Sequence, residues 1–266
     1  MNLTTISLTQ IGAVATVTLQ RPQQRNAFNA QSILELRWAF DTLAQQDDVR
    51  VIVLAAAGGD GCAFCAGADL HWMSATATAS DVENRNDALA LAAMLSTIYN
   101  CPQPVVAKIH GDVYGGGVGL VAACDIAIAV DTVHFCLSEV KIGLIPATIS
   151  PYVIQAMGQQ AARRYFLTAE RFTALEAHRI GLIHEQVTAD TLDQTVQNIV
   201  GAISSAGPLA VRQAKRLVSE ISGKPIDAAL SADTAERIAM IRHTEEAQEG
   251  MRAFLGKRKP AWLVGK

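Results

Sequence analysis

Ile109-His110-Gly111-Asp112-Val113-Tyr114-Gly115-Gly116-Gly117-Val118-Gly119-Leu120-Val121-Ala122-Ala123-Cys124-Asp125 is the stretch on which the reading of this chain turns. It follows a β-prone run from Val105 to Ile109, bends on glycines, and continues as a small-residue helix. Five of the nine residues from Gly111 to Gly119 are glycine. A strand entering a helix through such a turn leaves bare backbone N–H groups at the positive helix end, within reach of a ligand oxygen. Taken alone, the stretch suits a tight structural turn as well as a ligand site. Two common ligand fingerprints are absent. A dinucleotide site needs G-x-G-x-x-G, but after Gly115 and Gly117 the third position is Leu120; a P-loop needs Gly-Lys followed by Ser or Thr, and none occurs.

Upstream, Val14 to Leu19 is β-prone and stops at Arg21-Pro22, and Arg25-Asn26-Ala27-Phe28-Asn29 reads as a loop. Asn29 can cap a helix running to about Gln46 with Ile33, Leu34, Leu36, Phe40 and Leu43 on its apolar face. Val49 to Ala55 is an apolar strand interrupted only by Arg50, the pattern of a sheet covered on both faces. Gly58 to Ala68 is a second small-residue loop, leading to Asp69-Leu70. Ser80-Asp81-Val82-Glu83 is a capping box that opens a helix to about Tyr99.

Downstream, Ile126 to Val130 and Val133 to Leu137 read as short strands. Helices are expected near Tyr152 to Met157 and from Ala161 to Thr168, and Thr173-Ala174-Leu175-Glu176 is a second capping box. From about Asp190 the strand signal ends. Leu192–Ile203, Pro208–Ser222, Asp227–Arg242 and Glu245–Leu255 all carry helical periodicity. The expected organisation is an α/β core over residues 1–190 and a C-terminal helical lobe over 191–266.

The bulk numbers narrow the function. Of 266 residues, half are hydrophobic and 18% charged, and the net charge is -3. That balance gives no footprint for nucleic acid, and Lys257-Arg258-Lys259 reads first as a solvated tail. The opening Met1-Asn2-Leu3-Thr4-Thr5 shows no signal-peptide pattern, and no apolar run suits a membrane span. Five cysteines, an odd number, suggest reduced thiols and a cytoplasmic setting. Cys62-Ala63-Phe64-Cys65 has no second pair, so zinc binding is not expected.

The two small-residue loops read together are more informative. Phe64-Cys65-Ala66-Gly67-Ala68-Asp69-Leu70, His110-Gly111 through Gly115-Gly116-Gly117, and Ala123-Cys124-Asp125 resemble the enoyl-CoA hydratase/isomerase (crotonase) family. Arg21-Pro22 with Asn26-Ala27, Gly143-Leu144-Ile145-Pro146 and Lys257-Arg258-Lys259-Pro260 extend the resemblance over essentially the whole chain. It implies a crotonase-like spiral of repeated ββα units with a C-terminal helical lobe, assembled as a homotrimer or a dimer of trimers.

By the same resemblance, the backbone N–H groups of Ala68 and Gly116 form an oxyanion hole for a coenzyme A thioester. Glu139, in Phe135-Cys136-Leu137-Ser138-Glu139-Val140, is the acid/base carboxylate. Arg25, Ala66, Gly67 and Asp69 are implied neighbours of the coenzyme A, with Lys257 and Lys259 as weaker candidates. Tyr152 and Gly119 are implied to line the acyl pocket. No metal or redox cofactor is called for, since coenzyme A is part of the substrate.

One position departs from the family pattern. Hydratases of the family commonly use two glutamates, and the first falls on Gly119. The loss removes a like charge and, by expectation, makes room for a branched acyl group. A lone Glu139 also fits Δ3-Δ2-enoyl-CoA isomerases, which shuttle a single proton. The wording around Gly117 to Val121, Gly143 to Val153 and Ala162 to Phe172 resembles bacterial methylglutaconyl-CoA hydratases of leucine and isovalerate breakdown, and also isohexenylglutaconyl-CoA hydratases of acyclic terpene breakdown. A non-catalytic or RNA-binding member of the fold is the alternative of another class, disfavoured by the acidic balance.

Overall fold

The computed structural model describes residues 1–59, 61–76 and 79–264. The chain opens with an antiparallel hairpin, β1 (Ile6–Ile11) and β2 (Val14–Leu19), in register from Ile6 opposite Leu19 to Ile11 opposite Val14. Helix α1 (Ala30–Ala44) then leads to β3 (Val51–Ala56), which pairs parallel to β2. Asn29 caps α1, its side chain accepting from the Ser32 N–H. The first four residues of β3 are buried, as a continuous apolar run in a doubly covered sheet requires.

Helices α2 (Leu70–Thr76) and α3 (Asp81–Tyr99) follow, and the Ser80–Glu83 capping box forms in both directions. Strand β4 (Val105–Ile109) joins β3 in parallel. The glycine-rich stretch then makes a two-residue strand, β5 (Val113–Tyr114), and helix α4 (Gly116–Ala122). Strand β6 (Ile126–Val130) returns to the main sheet beside β4, and β7 (His134–Cys136) pairs with β5 instead.

Helix α5 (Ser150–Thr168) contains a non-helical Gly158, so the two helices expected there are two segments meeting at a kink. Strand β8 (Phe172–Thr173), helix α6 (Ala174–Arg179) and β9 (Glu185–Val187) complete the sheets. The main sheet has the order β1-β2-β3-β4-β6-β9, parallel except for the first pair, and β5-β7-β8 form a separate small sheet. The second capping box forms only in part. Thr173 accepts from the Glu176 N–H, but the Glu176 carboxylate is drawn to Arg179 and the Tyr165 hydroxyl.

The remaining segments are helical: α7 (Leu192–Ser205), α8 (Pro208–Ile221), α9 (Ala228–Arg242), α10 (Glu245–Leu255) and α11 (Ala261–Val264). Helix α7 lays Leu192, Val196 and Val200 on the sheet and contacts β3, β4 and β6. Helices α8 and α9 bury no residue. Helix α8 is tied to the core by Lys215, whose Nζ lies 2.6 Å from Asp125 Oδ2 and 3.1 Å from the Gln103 carbonyl. Asp125 in turn accepts from the Val105 N–H at 2.7 Å, fixing the turn that closes the glycine-rich stretch.

The N-terminal strand has an anchor of its own. The fully buried Glu35 carboxylate accepts hydrogen bonds from the N–H groups of Thr4, Thr5 and Ile6, the hydroxyls of Thr4 and Thr5, and the Gln31 amide. No helix among the described residues is long and apolar enough to cross a membrane.

Candidate active site

The small sheet brings the two glycine-rich loops and Glu139 together. Val113 bridges Cys65 in parallel fashion, and the Tyr114 N–H donates to the Cys65 carbonyl at 2.9 Å. On its other edge β5 pairs with β7, and the Gly115 N–H donates to the Cys136 carbonyl at 2.8 Å. The 65–68 loop, the start of α4 and the residues after Cys136 are therefore held side by side by backbone hydrogen bonds.

Close approach of these strands explains the small residues. Gly67 has φ +80°, and a Cβ there would stand 2.9 Å from the Tyr114 carbonyl oxygen and 3.1 Å from the Gly116 nitrogen. A Cβ on Gly116 would meet the Phe28 ring at 2.4 Å, and one on Gly117 the Cys65 carbonyl oxygen at 2.6 Å. Phe28 also brackets Ala68 through its backbone. Its N–H donates to the Gly67 carbonyl and its carbonyl accepts from the Asp69 N–H, both at 2.9 Å. The N–H of Ala68 is left between these two bonds. Among the described residues, neither the Ala68 N–H nor the Gly116 N–H donates a hydrogen bond. Two free backbone donors therefore stand on the two paired segments, the second at the N-terminus of α4.

Glu139 opens a short 3-10 turn, Glu139–Ile142, directly after β7. Its Oε1 would lie 3.3 Å from a Cβ on Gly115, so the carboxylate rests over the residue before Gly116. Its Oε2 is buried without a hydrogen-bond partner among the described residues. Burial pushes the carboxyl above its ordinary range, since the charged form loses solvation and gains no counter-charge. A carboxylate with one oxygen unpaired, near free N–H donors, can move a proton at an atom those donors hold.

Gly119 lies within α4, four residues beyond Gly115. A Cβ there would stand 2.2 Å from Ile149 Cγ2 and 2.6 Å from Ile149 Cβ. The space expected to open for an acyl group is therefore filled from within by Ile149, which is buried. This corrects the room-making reading of Gly119.

The other expected residues separate into groups. Arg25 is exposed, its carbonyl accepts from the Ala66 N–H at 3.0 Å, and its guanidinium lies 5.3 Å from the Tyr114 ring centre. It therefore borders the Ala66–Ala68 loop. Asp69 faces inward. Its carboxylate pairs with Arg21 at 2.7 Å and caps α2 by accepting from the His71 N–H at 2.9 Å. The Arg21 hydrogen bond holds its pKa below the usual carboxylate range. Asp69 is thus a structural fixture of the loop.

Tyr152 packs edge-on against Tyr99 with ring centres 5.3 Å apart, joining α5 to α3. Beside the loop, a groove of about 470 Å³ is lined by Arg21, Asn29, Gln31, Asp69, His71 and Trp72. Cys65 is fully buried and its thiol is pushed up to about 12 by desolvation, which suits packing and not nucleophilic attack. Phe28 and Ile149 escaped the reading of the sequence. An aromatic inside an otherwise polar loop was the available signal for Phe28; Ile149 offered none.

With this geometry in view, comparison with known proteins is decisive at the family level. The sequence profile described as enoyl-CoA hydratase/isomerase matches residues 9–264. The chain belongs to the enoyl-CoA hydratase/isomerase family. It is similar to the crotonyl-CoA hydratase of Syntrophomonas wolfei, at 33% identity over 94% of each chain. Among solved structures, an enoyl-CoA hydratase from Shewanella pealeana superposes with a TM-score of 0.93 at 42% identity, covering 98% of this chain and 96% of that one. AtuE of Pseudomonas aeruginosa superposes with a TM-score of 0.91 at 36% identity, covering 97% and 99%. The fold is the α/β crotonase-like one, with ββα units followed by C-terminal helices. As a member of this family the protein is an enzyme with hydratase/isomerase activity on enoyl-CoA-type thioesters.

Proposed function

We propose that this hydratase/isomerase family member adds water to 3-methylglutaconyl-CoA, giving 3-hydroxy-3-methylglutaryl-CoA. The observation that carries the reading is a half-buried carboxylate, Glu139, with its Oε2 unpartnered among the described residues, together with two unused backbone donors at Ala68 and Gly116. In the proposed reaction Glu139 accepts a proton from water as the new C–O bond forms at the β-carbon. The double-bond electrons pass to the thioester oxygen, where the two N–H groups stabilise the enolate. The enolate then collapses, and the α-carbon takes the proton back from Glu139. Arg25 and the Ala66–Gly67 backbone are proposed to meet the coenzyme A portion, because they adjoin Ala68 and Arg25 is exposed beside them.

A second reading, Δ3-Δ2-enoyl-CoA isomerisation, is favoured by the absence of a side chain at Gly119. Moving one proton between two carbons needs one carboxylate only. The exposed apolar residues Val218, Ile226, Phe254 and Leu255 of the C-terminal segment support assembly into a homotrimer or a dimer of trimers. The deciding experiment compares turnover of 3-methylglutaconyl-CoA, isohexenylglutaconyl-CoA, crotonyl-CoA and a 3-enoyl-CoA by the purified protein. The proposal expects kcat/KM to be highest for 3-methylglutaconyl-CoA. Fastest turnover of the 3-enoyl-CoA establishes the isomerase instead, and equal rates for crotonyl-CoA reject the branched-substrate assignment.

A further inference from the structure

Two glycines of this stretch, Gly115 just before α4 and Gly119 within it, each lie against a different side chain. Gly115 carries the Glu139 carboxylate, and Gly119 carries Ile149. The two glycines stand four residues apart, across the first turn of α4. The segment linking the two side chains folds back on itself, with the Leu144 N–H donating to the Glu139 carbonyl and the Val153 N–H to that of Ile149. The 3-10 turn that begins at Glu139 packs against α5, the helix that Ile149 precedes. Its γ2-methyl and Cβ occupy the volume that the first atom of any side chain at 119 would need.

We infer that Ile149 is a specificity-determining residue, placing a hydrocarbon wall beside Glu139 where a second carboxylate at position 119 would stand. The inference rests on the reading of Glu139 as the acid/base. A hydrocarbon wall cannot hold water against the far side of the reacting carbon, so linear enoyl thioesters lose a water-orienting partner. It does offer a dispersion contact to a substituent on the β-carbon. The ligand class favoured is therefore a β-branched acyl thioester, with the branch packed against the Ile149 side chain.

The test uses Ile149→Ala, with binding and turnover both measured. Dissociation constants for the unreactive saturated thioesters 3-methylbutyryl-CoA and butyryl-CoA are obtained by calorimetry, alongside kcat/KM for 3-methylglutaconyl-CoA and crotonyl-CoA. The wild-type protein is expected to bind the branched thioester more tightly, and Ile149→Ala to erase that preference by about tenfold, the scale of a lost hydrophobic contact in a pocket. A branched-to-linear binding ratio unchanged within about twofold in a folded Ile149→Ala protein overturns the inference. If the wild type turns over neither enoyl thioester, the hydratase reading fails while the binding ratio still judges Ile149.

A second pair addresses the volume directly. Gly119→Glu is expected to lower the melting temperature sharply, and Ile149→Ala combined with Gly119→Glu to restore it. A Gly119→Glu protein as stable as wild type with Ile149 in place also overturns the inference.

Discussion

The guanidinium of Arg21 holds the carboxylate of Asp69 at 2.7 Å across 48 residues of sequence, and both side chains are largely buried. The pair clamps the residue after Ala68 to the loop before α1. Removing one partner strands a charge in a low-dielectric setting, and Asp69→Ala also deletes the cap of α2. Loss of about 3 kcal/mol of stability is expected, read as a lower urea midpoint at unchanged slope. Replacing both residues by apolar ones of similar size is expected to recover a good part of it.

Acid sensitivity centres on Glu35. Burial alone raises a carboxyl, but here the Thr5, Gln31 and Thr4 hydrogen bonds outweigh it and lower Glu35 to about 2. A folded-state value below the unfolded one means stabilisation that is complete above the unfolded pKa. It is lost as the pH falls through the folded one. Between roughly pH 5 and pH 2 the protein is expected to lose about 3 kcal/mol through this group. Glu35→Gln should flatten that part of the stability–pH curve; a curve of unchanged slope removes Glu35 from the acid response.

Gly67→Ala tests the alignment of the two free donors. Its Cβ would press on the Tyr114 carbonyl and the Gly116 nitrogen at positive φ, displacing both N–H groups at once. A fall in kcat of about 10²–10³ is expected, with thioester affinity reduced much less. Phe28→Leu leaves the backbone bonds to Gly67 and Asp69 in place but withdraws the ring from Gly116. It should lower kcat more than it raises KM, whereas a purely structural role would show only in the melting temperature.

Glu139→Gln is expected to abolish turnover while leaving acyl-CoA binding intact, as measured by calorimetry with a saturated thioester. Glu139 must be ionised to accept a proton, and its pKa is raised by burial. The kcat/KM of the wild type should therefore fall on the acid side through an apparent pKa above the ordinary glutamate value of about 4.3. A Glu139→Gln enzyme with wild-type turnover would remove the residue from the mechanism.

Local signals in the sequence were reliable where the structure uses them locally. Asn29 and Ser80 cap the helices they were expected to cap, and Val105–Ile109 is a strand over its full expected length. These features depend on neighbours within a few residues. Strands β5 and β8 have two residues each and exist because of partners far along the chain, so no periodicity could reveal them. The half-exposed first strand, Ile6–Ile11, carries no clear strand signal because its outward residues dilute its apolar pattern. At the site, Glu139 and the two glycine loops were visible as motifs. The filling of the Gly119 space was not, because Ile149 reaches α4 from a turn 30 residues later.

The donors at Ala68 and Gly116 belong to the main chain, so they are properties of the fold and not of any codon. Among point mutations, only a change to proline deletes an N–H outright; others must act by moving the backbone. The wall made by Gly119 and Ile149, in contrast, is written entirely in side chains. On the proposed mechanism, descent with modification can therefore rewrite which acyl chain is admitted while the grip on the thioester oxygen passes on unaltered. The short sheet of β5, β7 and β8 is what keeps these two kinds of inheritance apart.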